Sequence, residues 1–171
     1  MLAEAWNGGL DAGRRTVRMR INIPQLKGNP MSINVIYKTS ATATGGRDGS
    51  AKSDDGSVDV KLVVPKEMGG PGGDGANPEK LFACGYSACF LGAMKAVSGK
   101  AGISVPADAT VTAHIGFGPR EAGGYGITAD LEISLPGVDQ ADGEKLVHAA
   151  HEVCPYSNAT RGNVDVGLTV V

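Results

Sequence analysis

The chain has 171 residues, 42% of them hydrophobic and 5% aromatic, and its 16 Lys and Arg against 18 Asp and Glu leave a formal charge of −2. That length corresponds to one domain with enough apolar side chains to build its own core. The near-neutral balance excludes the basic stripe of a nucleic-acid binder, and the shortage of aromatics excludes a base-stacking platform.

Residues 1–30 read as a poorly ordered extension, in which Arg14, Arg15, Arg18 and Arg20 are mixed with glycine and Pro24 without a sustained period. Glu4 and Asp11 interrupt the pattern of a transit peptide, and no continuous apolar run suggests a signal peptide. Regular patterning starts at Met31, so 31–171 is expected to be the single folded domain. Residues 33–44 are β-prone, and the glycines of 45–49 fit a hairpin turn. Val58, Val60, Leu62 and Val64 then alternate with polar residues, as expected of a strand with one covered face.

The next element is a helix. Asn77 is a good N-cap, Pro78 sits at its first position and Glu79 lies in the first turn, where the helix dipole favours an anion. Gly99 and Gly102 offer a stop. No charge occurs between Lys80 and Lys95, and apolar residues point in every direction, so the helix must be covered on all sides. A single sheet covers one side; a second copy of the chain is the expected cover for the other. The uncharged run from Leu81 to Met94 is shorter than the ~20 residues of a spanning helix, so no membrane span is expected.

Two further alternating segments follow, Val111, Ala113, Ile115 and Phe117, then Ile127, Ala129, Leu131, Ile133 and Leu135, with a Gly-rich turn at 118–126 between them. A second, amphipathic helix over about 139–153 turns Leu146, Val147, Ala150 and Val153 toward the core, and Val164, Val166, Leu168 and Val170 close the chain as a strand. The predicted fold is α+β, with antiparallel sheets packed on a long buried central helix.

Three cysteines without a signal peptide point to a reducing, cytoplasmic setting, where they are either packed or chemically used. Cys89, in mid-helix, reads on its own as a small buried hydrophobe, and it becomes reactive only beside a cation or similar field. Cys154 stands at a helix end before Pro155 and is better placed to move. Cys84 lies about 140° around the helix from Cys89, so these two should not bridge, and Cys84 reads as structural. Arg47 reads on its own as a solvated hairpin residue, and Glu79 as a first-turn acid. The loop Gly69–Gly75 lacks the Lys-Ser/Thr ending of a phosphate cradle. His148, His151 and Cys154 recur every three residues, but no fourth ligand is indicated and no metal is expected.

Taken together, the strings Thr42-Ala43-Thr44-Gly45-Gly46-Arg47-Asp48-Gly49, Asn77-Pro78-Glu79, Gly85-Tyr86-Ser87-Ala88-Cys89 and Glu152-Val153-Cys154-Pro155-Tyr156-Ser157 are more specific than composition. In this order they resemble the organic hydroperoxide resistance proteins of the OsmC/Ohr family, over 31–171. The resemblance implies an intertwined homodimer and a thiol-dependent peroxidase acting on alkyl or lipid hydroperoxides. It makes Cys89 the peroxidatic cysteine, Cys154 the resolving one, Arg47 the holder of the thiolate and Glu79 the acid that orients Arg47. It also implies reduction by dihydrolipoyl groups, on lipoylated proteins or as dihydrolipoamide, with no bound cofactor. Phe82, Phe90 and Met94 are candidate apolar walls. Cys84 departs from the small residue expected there, and the extension has no counterpart in the family. A homodimeric lipid-binding module and a cysteine redox sensor are the competing readings; no DNA-reading helix or basic patch favours the sensor.

The implied roles carry a geometric consequence. Glu79 and Cys89 are separated by ~15 Å along one helix at 1.5 Å per residue. An Arg–Glu pair touching the Cys89 sulfur does not easily span that distance within one straight helix, and the expectation is a site shared by two chains, with their helices packed antiparallel across a two-fold axis.

Overall fold

Glycine-rich turns divide the chain into two three-stranded sheets and three α-helices in the computed structural model, which describes residues 33–171. The extension expected at 1–30 lies outside the described residues. Thr39–Val171 form one compact unit, and residues 33–38, without regular secondary structure, fall outside it.

The first sheet is antiparallel, in the order β1 (Ala41–Thr44), β2 (Ser50–Ser53), β3 (Asp59–Lys61). The turn between β1 and β2 depends on glycine. Gly45 has φ 68°, and a Cβ there would stand 2.7 Å from the Asp48 carbonyl oxygen. The expected Val58–Val64 face survives only in part: Leu62 is buried, whereas Val58 is exposed at 48%. Past Leu62 the chain loops out through a 3₁₀ turn at Lys66–Met68 and returns, so that Leu62 bridges Ala76 in parallel and the Leu62 N–H donates to the Gly49 carbonyl at 2.8 Å. This return sets the start of the next helix beside the β1–β2 turn.

That helix, α1, spans Pro78–Ala101. The Asn77 side chain accepts from the Lys80 N–H at 2.8 Å, and Gly102 caps the other end with φ 69°; Gly99 lies inside the helix instead of ending it. Tyr86, Phe90, Met94 and Val97 enter the core, and each such side chain contributes ~1.5–3 kcal/mol by burial. The opposite line of α1 (Cys84, Ala88, Gly92 and Ala96) is exposed in the single chain. By length and mean hydropathy α1 is long enough and apolar enough to cross a membrane, a property the uncharged run alone did not suggest. Of the apolar window, 28% is buried within the single chain.

β4 (Thr110–Pro119) and β5 (Tyr125–Ser134) form a ten-residue antiparallel ladder from Thr110↔Ser134 to Pro119↔Tyr125. Ala129, Leu131 and Ile133 face the core in alternation with exposed Asp130 and Glu132. The closing strand β6 (Val166–Val170) corrects the expectation of purely antiparallel sheets, because it pairs with β5 in parallel. The intervening chain is long enough for the crossover that parallel pairing requires. It contains α2 (Gln140–Val153), capped by Asp139, and a short α3 (Pro155–Thr160) that the sequence reading did not anticipate. Leu146, Val147 and Ala150 of α2 are buried as expected, but Val153 is exposed at 48% because the helix ends there.

Candidate active site

The four residues singled out from sequence fall into two clusters on the molecule. In the first, the β1–β2 turn presents Arg47 to the first turn of α1. Arg47 Nη1 donates to Glu79 Oε2 at 2.8 Å and Nη2 to Glu79 Oε1 at 2.7 Å, a two-pronged ion pair of the kind that fixes a guanidinium in orientation as well as position. The hydrogen bonds from Arg47 hold the Glu79 carboxyl below its ordinary range, against the opposing effect of burial, and the Glu79 partner raises Arg47 in turn. The guanidinium also lies over the Phe117 ring, 4.9 Å from its centroid. Beside the pair opens a groove of about 1070 Å³, mainly apolar along Met68, Ala83, Ile115 and Phe117 and edged by the charged Glu67 and Lys80.

The second cluster joins α1 to the α2–α3 junction. Cys154 caps the C-terminus of α2 and the N-terminus of α3 at once, with extended backbone (φ −64°, ψ 123°) enforced by Pro155. Its thiol is fully buried and donates to the sulfur of Cys89, 3.6 Å away, while Cys89 is only partly covered. The sulfurs are thus about 1.5 Å farther apart than a disulfide bond of ~2.05 Å requires. Burial pushes the Cys89 thiol up, a backbone N–H of Tyr156 acts in the opposite direction, and the Cys154 thiol adds to the rise. Among the described residues no cation contributes to that shift.

α3 is seated on α1 by side chains that sequence reasoning did not select. Tyr86 Oη, fully buried, lies 3.0 Å from Ser157 Oγ and 3.5 Å from Thr160 Oγ1. Tyr156 stacks on Phe82 with centroids 5.6 Å apart, and passes so close to Gly85 that a Cβ there would be 2.8 Å from its hydroxyl. Arg161 ties the far end of α2 through the Glu152 carboxylate and the His151 carbonyl, each at 3.0 Å. One signal was available: Pro155 ends α2 and suits the first position of a following helix.

Two further expectations change. Phe90 and Met94 are fully buried in the core and cannot wall a groove, whereas Phe82 packs on Tyr156. Cys84 is exposed instead of packed, and is not brought to either sulfur. Among the described residues, no group of three or more His, Cys, Asp or Glu side chains is placed to hold a metal ion.

The OsmC-like protein family model matches residues 70–169. The organic hydroperoxide resistance protein of Xanthomonas axonopodis pv. citri is 54% identical over 136 residues, which is 80% of this chain and 95% of that protein. OhrB of Bacillus subtilis is 42% identical over 134 residues, 78% of this chain and 96% of that protein. Among solved structures, an organic hydroperoxide resistance protein from Elizabethkingia anophelis superposes with a TM-score of 0.75 at 48% identity, covering 81% of this chain and 98% of that one. The Bacillus subtilis OhrB crystal structure superposes with a TM-score of 0.73 at 40% identity, covering 80% and 100%.

Proposed function

The chain belongs to the OsmC/Ohr family of organic hydroperoxide resistance proteins, and on that premise we propose that it is a thiol-dependent peroxidase reducing alkyl or lipid hydroperoxides to alcohols. The observation that carries this reading is the cysteine pair: one reachable sulfur and one buried sulfur in contact at 3.6 Å. The groove beside Arg47, with its apolar walls, suits an alkyl chain.

The Cys89 thiolate attacks the terminal oxygen of the hydroperoxide and breaks the O–O bond. The alkoxide leaves and takes up a proton as the alcohol, and Cys89 is left as sulfenic acid. Cys154 then attacks the Cys89 sulfur; hydroxide leaves with the Cys154 proton as water, and a Cys89–Cys154 disulfide forms. The two thiols of a dihydrolipoyl group, on a lipoylated protein or as dihydrolipoamide, reduce this disulfide and close into one of their own.

A second copy of the chain completes the site. In one chain the Cys89 thiol is pushed up, and the Arg47–Glu79 pair sits ~15 Å away along α1. Two α1 helices packed antiparallel through the exposed line of small residues would place the partner's Arg47 and the partner's Glu79 at Cys89. The guanidinium then supplies the cation that a reactive thiolate needs. We take 31–171 as the peroxidase domain, 1–30 as an added segment, and the cytoplasm as the compartment in which the three cysteines stay reduced.

Counting free thiols after one equivalent of an organic hydroperoxide tests the chemistry. The wild type should lose two of its three thiols, leaving Cys84, and Cys89→Ser should lose none. Loss of thiols in Cys89→Ser at the wild-type rate would refute the assignment.

A further inference from the structure

We propose that Phe117 is a positioning residue for Arg47, holding the guanidinium on the face of its ring so that the ion pair with Glu79 is presented in one pose. This rests on the peroxidase reading of Arg47. Arg47 projects from a turn that contains two consecutive glycines of positive φ, Gly45 at 68° and Gly46 at 61°. Such a turn defines its own conformation weakly, so the position of the guanidinium depends on what the side chain touches. Glu79 fixes two nitrogens in the plane of the fork at 2.7 and 2.8 Å. In-plane bonds leave the group free to tilt about the line joining it to the carboxylate.

Phe117 supplies the missing restraint from the perpendicular direction, with the guanidinium carbon 4.9 Å from the ring centroid, inside the range of a cation–π contact. The ring itself is backed. Tyr125, its diagonal neighbour across the β4–β5 ladder, stacks on Phe117 with centroids 5.1 Å apart and planes 15° from parallel. The guanidinium, the Phe117 ring and the Tyr125 ring thus stack in series, which ties Arg47 to the ten-residue hairpin as well as to its own turn. The Arg47 side chain is 35% exposed, so the contact is partly desolvated. A strand alternation that reads as core packing therefore delivers, at its last inward position, an aromatic face to a charge.

The test compares Phe117→Leu, which keeps an apolar side chain of similar bulk, with Phe117→Trp and Phe117→Tyr, which keep a ring face. The measurements are the second-order rate of Cys89 oxidation by cumene hydroperoxide and the pH profile of that rate. Phe117→Leu should slow oxidation roughly 2–10-fold and move the profile to higher pH, with urea stability close to wild type, whereas Trp and Tyr should restore both rate and profile. A rate in Phe117→Leu equal to wild type, while Arg47→Ala remains slow, overturns the role of Phe117 alone. A common slowing in Leu, Trp and Tyr overturns it as well, by pointing to shape instead of the ring face. A wild-type rate in Arg47→Ala overturns the reading of Arg47 on which the proposal stands.

Discussion

Replacing Tyr86 by Phe removes a single oxygen from the contact that seats α3, and with it the Cys154 junction, on α1. Tyr86 and Ser157 are fully buried, and Ser157 Oγ has no other hydrogen-bond partner among the described residues. The Thr160 hydroxyl is less dependent, since it also donates to the Tyr156 carbonyl at 3.0 Å. Tyr86→Phe keeps the ring packing against Phe82 at 5.6 Å and Tyr156 at 5.7 Å. What it loses is the partner of a buried hydroxyl, a cost of about 1–3 kcal/mol. Urea unfolding at one fixed protein concentration should show a lower midpoint with an unchanged slope. Tyr86→Phe/Ser157→Ala should recover part of the loss, because no unpaired group then remains. Because Cys154 caps α3, the same variant should also slow the step from sulfenic acid to disulfide. A single variant within about 0.5 kcal/mol of wild type, or a double variant as unstable as the sum of its parts, would refute the reasoning.

The Arg47–Glu79 pair makes stability pH-dependent on the acid side. The folded pKa of Glu79 lies below its ordinary 4.5, so its contribution is fully present above that value and is lost as pH falls through the folded pKa. The difference in urea midpoint between wild type and Glu79→Gln should therefore be constant near pH 6–7 and shrink below about pH 4.5; a constant difference down to pH 3 would contradict the pairing. Cys84 tests the proposed meeting of two chains. With Glu79 level with the partner's Cys89, the two-fold axis passes beside Cys84, which is midway between them in sequence. Diamide should then cross-link Cys89→Ser/Cys154→Ser through Cys84 into a dimer that survives SDS without reductant, and a product that stays entirely monomeric would contradict that register.

Elements whose ends are written in local chemistry were legible in the sequence. Asn77, Pro78 and Gly102 bound α1 because capping depends on neighbours a turn away, and the alternation over 110–134 forms the long hairpin. Partners brought together from far along the chain were less legible. The parallel pairing of β6 follows from a crossover that no strand pattern reveals, and α3 is too short, at six residues, to show a helical period of its own. Helical periodicity marked Phe90 and Met94 as apolar, yet period alone does not distinguish a face in the core from a face on a groove. Arg47 and Glu79, 32 residues apart, were paired by motif resemblance; the physical cause is the return of the chain from Leu62 to Ala76. Phe117 carried no signal beyond its place in the alternation.

Mixing two inactive variants tests most directly whether the cysteine pair of one chain works with the ion pair of another. Glu79→Ala and Cys89→Ser subunits, each expected to be inactive alone, are dissociated and reassociated together, and formation of the proposed heterodimer is followed by native mass spectrometry. Such a heterodimer contains one site with wild-type Cys89 and Cys154 facing the partner's intact Arg47 and Glu79. Shared sites predict recovery of hydroperoxide reduction with dihydrolipoamide, up to one working site per heterodimer. Confirmed heterodimers that remain inactive would place the whole site within a single chain and contradict the account.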